Sequence, residues 1–206
     1  MIKICGITNE EDLKAIASLK PDAVGFILAK SPRQVDISKL RALVQVLPPG
    51  ITTFGVFVNP AQELVEEAIF KGGVDIVQLH GDESPEFCQR FSPRVIKVFR
   101  FKAGDDIWCI KHYEPVVRGF LIDAWAEDKY GGTGKRVDVA LAREIVDSTH
   151  RPVILAGGLK PQNLQRVVEM VRPFGVDVSS GVEMVPGKKD IGLCRDFIES
   201  ARMLGL

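Results

Sequence analysis

The sequence lacks the features that mark several large classes of protein. Its 206 residues carry 27 Lys and Arg against 27 Asp and Glu, so the formal net charge is zero and no basic stretch favours nucleic-acid binding. No apolar run is long enough to span a bilayer, and residues 1–6 read as a strand rather than a signal peptide. We therefore expect neither a nucleic-acid nor a membrane partner, and a cytoplasmic location.

Cysteine and histidine are scarce and scattered. The four cysteines lie far apart, form no CxxC pair and have no histidine at the spacing of a metal site; they are Cys5, Cys88, Cys109 and Cys194. Disulfides are rare in cytoplasmic proteins. We therefore expect neither a disulfide framework nor a metal centre.

The sequence does contain a regular alternation of strand-like and helix-like segments. Eight short, mostly apolar runs predict buried parallel strands, at residues 2–5, 23–28, 52–58, 75–79, 95–101, 119–123, 153–156 and 176–179. Eight helical segments alternate with them, among them residues 11–19, 60–71, 161–171 and 191–204. Expected helix starts are the N-caps Asn9 and Ser38 and the first-turn prolines Pro60, Pro85 and Pro161.

Eight strand–helix units without a break in composition predict one domain, a (β/α)8 TIM barrel over residues 1–206. Each unit averages roughly 26 residues, which is close to the minimum for a parallel crossover. An open, doubly wound sheet is the alternative fold. The even count of eight units and the glycine turns near the end of the chain favour the closed barrel.

Two successive strands near the end of the chain run into glycine. The seventh is followed by Gly157 and Gly158, and the eighth by Ser180 and Gly181. Glycine lets backbone N–H groups approach a ligand, and a helix that starts just after such a turn adds unpaired donors. Paired turns of this kind resemble the phosphate site after the last two strands of a TIM barrel, which predicts a phosphorylated small molecule as ligand.

The remaining strand ends carry residues that can move protons. Cys5 ends the first strand beside Gly6, where it is either a buried core cysteine or a thiolate that faces a ligand. Asp123 ends the sixth strand, where it either caps its own loop or acts on a ligand. An acid and a base at one barrel mouth are what a proton-transfer isomerisation requires.

Several other residues near the C-terminal ends of the predicted strands each allow two interpretations. Arg33 is either a solvated loop arginine or a planar fork that grips a carboxylate, and Arg100 resembles it. We expect His80 to order its loop, and a single histidine here cannot build a metal cluster. The glycine-rich loop at residues 131–134 is either a simple turn or a flap in which Thr133 adds a phosphate contact.

Together these motifs resemble the phosphoribosylanthranilate isomerase family over essentially the whole chain. The start Lys-Ile-Cys-Gly at residues 3–6, combined with Ser-Pro-Arg at 31–33, is the most specific part. Further matching segments follow in order, at residues 25–26, 55–59, 78–81, 121–123, 131–134, 155–159, 177–183 and 186–190.

The resemblance implies an Amadori rearrangement in tryptophan biosynthesis, without cofactor or metal. N-(5-phosphoribosyl)anthranilate would become 1-(2-carboxyphenylamino)-1-deoxyribulose 5-phosphate. By motif, Asp123 resembles the general acid that protonates the furanose oxygen, and Cys5 the general base that removes the C2′ proton. Arg33 resembles the residue that holds the anthranilate carboxylate. Backbone amides around the two glycine turns would hold the phosphate; these are Gly157, Gly158, Ser180 and Gly181.

One departure and two rival functions accompany this resemblance. Val137 and Val139 stand where the family often has aromatic residues. The rivals are the related isomerase of histidine biosynthesis, which is typically longer and has aspartate in place of Cys5, and a non-catalytic phospho-ligand binder. No exposed apolar patch is evident in the pattern, so a monomer is favoured and a homodimer is the alternative.

Overall fold

The computed structural model describes residues 1–101, 104–123 and 139–206, and its centre is a closed barrel of eight parallel strands. Each strand pairs with the next, and β8 pairs with β1. The predicted barrel is therefore confirmed, and the open-sheet alternative is wrong. The strands are β1 Ile2–Cys5, β2 Ala23–Ile27, β3 Thr52–Phe57, β4 Ile76–Leu79, β5 Val95–Phe99, β6 Gly119–Asp123, β7 Val153–Ala156 and β8 Gly175–Val178.

Helices cover the outside of the barrel. The α-helices are α1 Glu10–Ser18, α2 Ile37–Gln45, α3 Gln62–Phe70, α4 Pro85–Gln89, α5 Val139–Ser148, α6 Pro161–Val171 and α7 Ile191–Met203. The connection after β5 contains a 3-10 helix, Ile107–His112, and a second one, Ser180–Val182, follows β8. A short antiparallel pair, β9 Glu183–Val185 and β10 Lys188–Lys189, precedes α7. No helix in the described part is long and apolar enough to cross a membrane.

The predicted helix starts are confirmed in part. The Asn9 side chain caps α1 by accepting a hydrogen bond from the amide of Asp12 at 2.8 Å. The prediction for Ser38 is wrong, because Asp36 caps α2 and its carboxylate accepts from the amide of Lys39 at 2.7 Å. Both are cap-forming residue types, and the chain uses the earlier one.

The prolines behave similarly. Pro85 and Pro161 are the first residues of α4 and α6, as predicted. Pro60 lies before α3, whose N-cap is Ala61, so its predicted place in the first turn is wrong. Proline stiffens the approach to that helix without belonging to it.

Two apolar cores lie on either side of the barrel wall. The larger core fills the space between the strands and the helices, and includes Ile2 and Ile4 of β1. The smaller one lies inside the barrel and includes Phe54, Ile96 and Ile154. Because side chains alternate along a strand, β1 points its isoleucines outward and its Lys3 and Cys5 inward. The barrel interior therefore contains charged and reactive groups next to an apolar core.

Candidate active site

The Cys5 side chain lies inside the barrel at the C-terminal end of β1. It is buried, with 5% exposure, and faces Gly25 of the neighbouring strand. A Cβ at Gly25 would lie only 2.6 Å from the Cys5 sulfur, so glycine makes the room that the thiol occupies. Cys5 is therefore buried, but against charged groups of the barrel interior rather than in the outer core.

Charged neighbours oppose one another at the Cys5 thiol. Burial raises its pKa, and the negative charge of Asp177 adds to that effect. Lys3 and Lys189 act in the other direction, but the pKa stays above its ordinary value. Lys189 also donates a hydrogen bond to the backbone carbonyl of Cys5. The amount of thiolate therefore depends on the nearby cations.

The Asp123 carboxyl group lies at the end of β6 in contact with His80 and Arg100. Its Oδ2 lies 3.2 Å from Nε2 of His80 and 3.5 Å from Nε of Arg100. Arg100 Nε also donates to His80 Nε2 at 3.1 Å. We predicted that His80 orders its loop, whereas the structure places it directly against the candidate acid. The contact was not evident from the sequence because His80 and Asp123 lie on different strand ends.

Arg33 lies at the same end of the barrel and grips a carboxylate of the protein itself. Its Nε lies 2.8 and 3.0 Å from the two Glu183 oxygens, and its Nη2 completes a fork on Glu183 Oε2. This pairing raises the pKa of Arg33. Burial alone would raise the pKa of Glu183, but Arg33 and Lys189 outweigh burial and lower it. The fork leaves Nη1 of Arg33 for a ligand.

Gly6 permits this position of Arg33. Its φ of +78° lies in the left-handed region, and a Cβ there would lie 2.8 Å from Cδ of Arg33. Of the two residues at this strand end, Cys5 is therefore the candidate base, and Gly6 leaves the space that the Arg33 side chain occupies.

The two predicted glycine turns lie side by side above β7 and β8. Gly157 and Gly158 have positive φ values of 84° and 66°. A Cβ at Gly181 would overlap the carbonyl oxygen of Leu159, so the two loops pack backbone against backbone. Within the described ranges, the amides of Gly157, Gly158, Ser180 and Gly181 have no hydrogen-bond acceptor. Backbone N–H groups of this kind suit an anion.

Two buried polar atoms at the end of β8 support a ligand site at this place. Among the described residues, Asp177 Oδ1 and Ser179 Oγ are the buried side-chain polar atoms that lack a hydrogen-bond partner. Buried polar groups are nearly always hydrogen-bonded, so these two exceptions indicate that a bound ligand supplies their partner. The sequence contains a signal for Asp177 and Lys3 that our prediction did not use. Each is a charged residue within an otherwise apolar strand.

Some predicted features lie outside the described residues. These are the glycine-rich loop at 131–134 with Thr133, and the residue Val137. Val139, the other departure from the family pattern, is the first residue of α5 and packs against the outer core.

Comparisons with known proteins give matches over nearly the whole chain. A family model described as N-(5′-phosphoribosyl)anthranilate (PRA) isomerase matches residues 2–200. A relative from Trichlorobacter lovleyi named N-(5′-phosphoribosyl)anthranilate isomerase is 41% identical, over 98% of this chain and 97% of its own length.

Solved structures are similar over the whole chain. Phosphoribosyl anthranilate isomerase from Thermotoga maritima has a TM-score of 0.89 and 38% identity, covering 100% of this chain and 98% of its own. A second isomerase structure, in complex with reduced 1-(o-carboxyphenylamino)-1-deoxyribulose 5-phosphate, has a TM-score of 0.85, 36% identity and coverage of 100% and 98%. A third, with a TM-score of 0.82, 34% identity and the same coverage, is described as monomers of the dimeric T. maritima isomerase. The chain belongs to the N-(5′-phosphoribosyl)anthranilate isomerase family and is an isomerase of tryptophan biosynthesis.

Proposed function

We propose that residues 1–206 form one catalytic domain in which Asp123 and Cys5 carry out the Amadori rearrangement of N-(5-phosphoribosyl)anthranilate. The observation that carries the proposal is the order of the strands. Asp123 ends β6 and Cys5 ends β1, and the two strands that separate them in the closed barrel, β7 and β8, lead into the glycine turns. Acid and base therefore flank the predicted phosphate site.

Asp123 acts first as general acid. Its proton goes to the furanose ring oxygen, the bond from that oxygen to C1′ breaks, and the nitrogen lone pair forms a protonated Schiff base. Arg100 Nε always carries a proton and donates to His80 Nε2. Because Nε2 accepts that hydrogen bond, it carries no proton of its own, and its 3.2 Å contact with Asp123 is a hydrogen bond only when the carboxyl group is protonated and shares the same lone pair as acceptor. The Arg100 cation, 3.5 Å away, stabilises the carboxylate that remains after transfer.

Cys5 acts second as general base. Its thiolate removes the proton from C2′, and the electron pair moves into the C1′–C2′ bond to give a neutral enolamine. Tautomerisation then moves the C2′ hydroxyl proton to C1′ and leaves a ketone at C2′. Loss of the proton from Cys5 to solvent and uptake of one by Asp123 restore both groups, so atoms and charges balance. The product is 1-(2-carboxyphenylamino)-1-deoxyribulose 5-phosphate. A reduced form of such a compound is the ligand named for one solved relative.

The substrate is held at its two anionic ends. The amides of Gly157, Gly158, Ser180 and Gly181 bind the phosphate, and Nη1 of Arg33 binds the anthranilate carboxylate. Glu183 fixes the plane of the guanidinium for that contact. No cofactor, metal or nucleic acid takes part.

The first test is a fluorescence assay. Phosphoribosylanthranilate generated in situ is fluorescent, and we expect the wild-type protein to remove that signal rapidly. Turnover of the histidine-pathway ribotide at a comparable rate would show a dual-substrate isomerase instead. Binding of both ribotides without turnover would show a phospho-ligand binder.

Arg33→Met tests the carboxylate contact. We expect weaker binding of anthranilate-bearing ligands and nearly unchanged binding of free ribose phosphates. Lys189, 3.0 Å from Glu183, still neutralises the buried carboxylate in this variant. Equal losses for both classes of ligand would mean that Arg33 serves the fold or the phosphate.

Two further proposals concern the assembly and the location. We propose a monomer, with a homodimer as the alternative because a T. maritima relative is described as dimeric; light scattering after gel filtration separates the two. We propose a cytoplasmic location, which the four free cysteines support because a reducing compartment keeps thiols unpaired.

A further inference from the structure

Three lysine side chains in the described part of the chain are almost completely buried. They are Lys3, Lys97 and Lys189, with exposures of 0%, 2% and 1%. A lysine ammonium has three N–H donors and no acceptor. Lys97 has three oxygen acceptors, and so has Lys189. These two cations are fully satisfied by oxygen.

Lys3 differs from both, because it has two oxygen acceptors. Its Nζ donates to Gln78 Oε1 at 2.8 Å and to Asp177 Oδ2 at 3.0 Å. The ring of Phe54 covers another side, 4.9 Å from Nζ to the centroid. Within the described ranges, one donor position of this buried ammonium therefore has no oxygen acceptor, which is costly unless another acceptor fills it.

The Cys5 sulfur lies within reach of that position. Lys3 and Cys5 are alternate residues of β1, so both side chains point into the barrel. The Lys3 Cε lies 3.0 Å, and the Cys5 Sγ 2.6 Å, from the single point that a Cβ of Gly25 would occupy. Because Gly25 has no side chain, it places no atom between the side chains of Lys3 and Cys5.

The charges around Cys5 single out Lys3. The charged groups that shift the pKa of the Cys5 thiol are Lys3, Asp177 and Lys189, and Cys5 in turn contributes to the raised pKa of Arg33. Lys3 has the largest effect of these on the thiol. Lys189 is satisfied by three oxygens, and Arg33 is paired with Glu183. Burial would lower the pKa of Lys3, but Asp177 and Cys5 outweigh burial and raise it, so the ammonium keeps its charge.

We propose that Lys3 is a positioning residue for the base: anchored by Asp177 and Gln78, its ammonium donates the remaining N–H to the Cys5 sulfur and stabilises the thiolate. This role rests on the proposed function of Cys5. If Lys3 served only to pair with Asp177, the ionisation of the Cys5 thiol would not depend on the Lys3–Asp177 pair.

The test is a pH titration of the Cys5 thiolate by ultraviolet absorbance, taken as the difference between each protein and its Cys5→Ser counterpart. In the double variant Lys3→Met/Asp177→Asn the buried pair becomes neutral, and we expect the midpoint to rise by at least about one pH unit. That shift means about tenfold less thiolate at a pH below the midpoint. Asp177→Asn alone should lower the midpoint, because Lys3 stays charged while the opposing carboxylate is gone.

The control is Lys97→Met/Glu83→Gln, which neutralises a pair of similar burial, 2% and 3% exposed, that is not among the main influences on the pKa of Cys5. We expect it to leave the midpoint unchanged. A double variant that titrates like the wild type would overturn the proposal. If that variant does not fold, Asp177→Asn decides alone, and an unchanged or raised midpoint overturns the proposal. Turnover of Cys5→Ala tests the base role separately, so either idea can fail without the other.

Discussion

The two ends of the barrel interior differ in chemistry although the same eight strands build both. The N-terminal end is apolar, with Phe54, Ile76, Ile96 and Ile154 around a cavity of about 310 Å³. The C-terminal end holds Cys5 and the buried ion pair of Lys3 and Asp177. One end contributes apolar burial to stability, and the other holds buried charged groups.

The polar end is the costly one. A buried polar group destabilises a fold unless it is hydrogen-bonded. Most groups here meet that condition, but Asp177 Oδ1 and Ser179 Oγ do not. In the part of the chain that the structure describes, both buried side-chain atoms without a hydrogen-bond partner lie at the end where the substrate is proposed to bind. Variants at the two ends should therefore separate loss of activity from loss of stability.

The largest effect is expected for Cys5→Ala. Turnover should fall by ~10²–10⁴, the typical contribution of a positioned base, while unfolding in denaturant changes little. Cys88→Ala is the control, because Cys88 is a fully buried cysteine in the outer core and its pKa is raised to about 11 by burial. Its turnover should match the wild type, and equal losses in both variants would remove the case for Cys5.

Asp123→Asn should follow closely, with a loss of about 10²–10⁴ in turnover. The amide keeps a hydrogen-bonding contact with His80 but has no proton to give to the ring oxygen. The control is Asp147→Asn, which should leave turnover unchanged. Asp147 is an exposed residue of α5 whose carboxylate lies 2.7 Å from Arg143. Steady-state rates from the fluorescence assay check both variants; a near-normal rate for Asp123→Asn would exclude it as the acid.

Ile154→Ala tests the opposite end. Removing a buried isoleucine beside the cavity should lower the free energy of unfolding by about 2–5 kcal/mol, with turnover per folded molecule unchanged. Met203→Ala, at an 81% exposed position, should change stability by less than about 0.5 kcal/mol. A selective loss of turnover in Ile154→Ala would show that the two ends are coupled.

Gly181→Ala should have the smallest effect of the four. The added methyl overlaps the Leu159 carbonyl oxygen, and such overpacking costs about 1–3 kcal/mol. Because the loops after β7 and β8 must move apart, KM for the phosphorylated substrate should rise more than kcat falls. Gly50→Ala is strained by its φ of +94° but meets no atom within 4 Å and lies just before β3, at the opposite end of the barrel, so KM should be unaltered. An unchanged KM in Gly181→Ala would separate this turn from phosphate binding.

Much of the fold was predictable because it depends on local patterns. Predicted runs of four to seven residues matched β1 to β8, with differences of at most two residues at their ends. Asn9, Pro85 and Pro161 marked helix starts correctly. Ser38 did not, because two cap-forming residues stand within one turn and the pattern does not choose between them. The helix after β5 is of the 3-10 type, a distinction that apolar periodicity does not resolve.

The sequence by itself determined the repeat of eight strand–helix units, the glycines that follow β7 and β8, and the placement of Cys5, Asp123 and Arg33 at strand ends. Tertiary structure alone decided which charges meet. Lys3 pairs with Asp177, 174 residues away, and Arg33 with Glu183, 150 residues away. Closing the barrel brings β8 next to β1 in the register that sets Lys3 against Asp177, and it brings the segments after β2 and β8, which carry Arg33 and Glu183, to the same end.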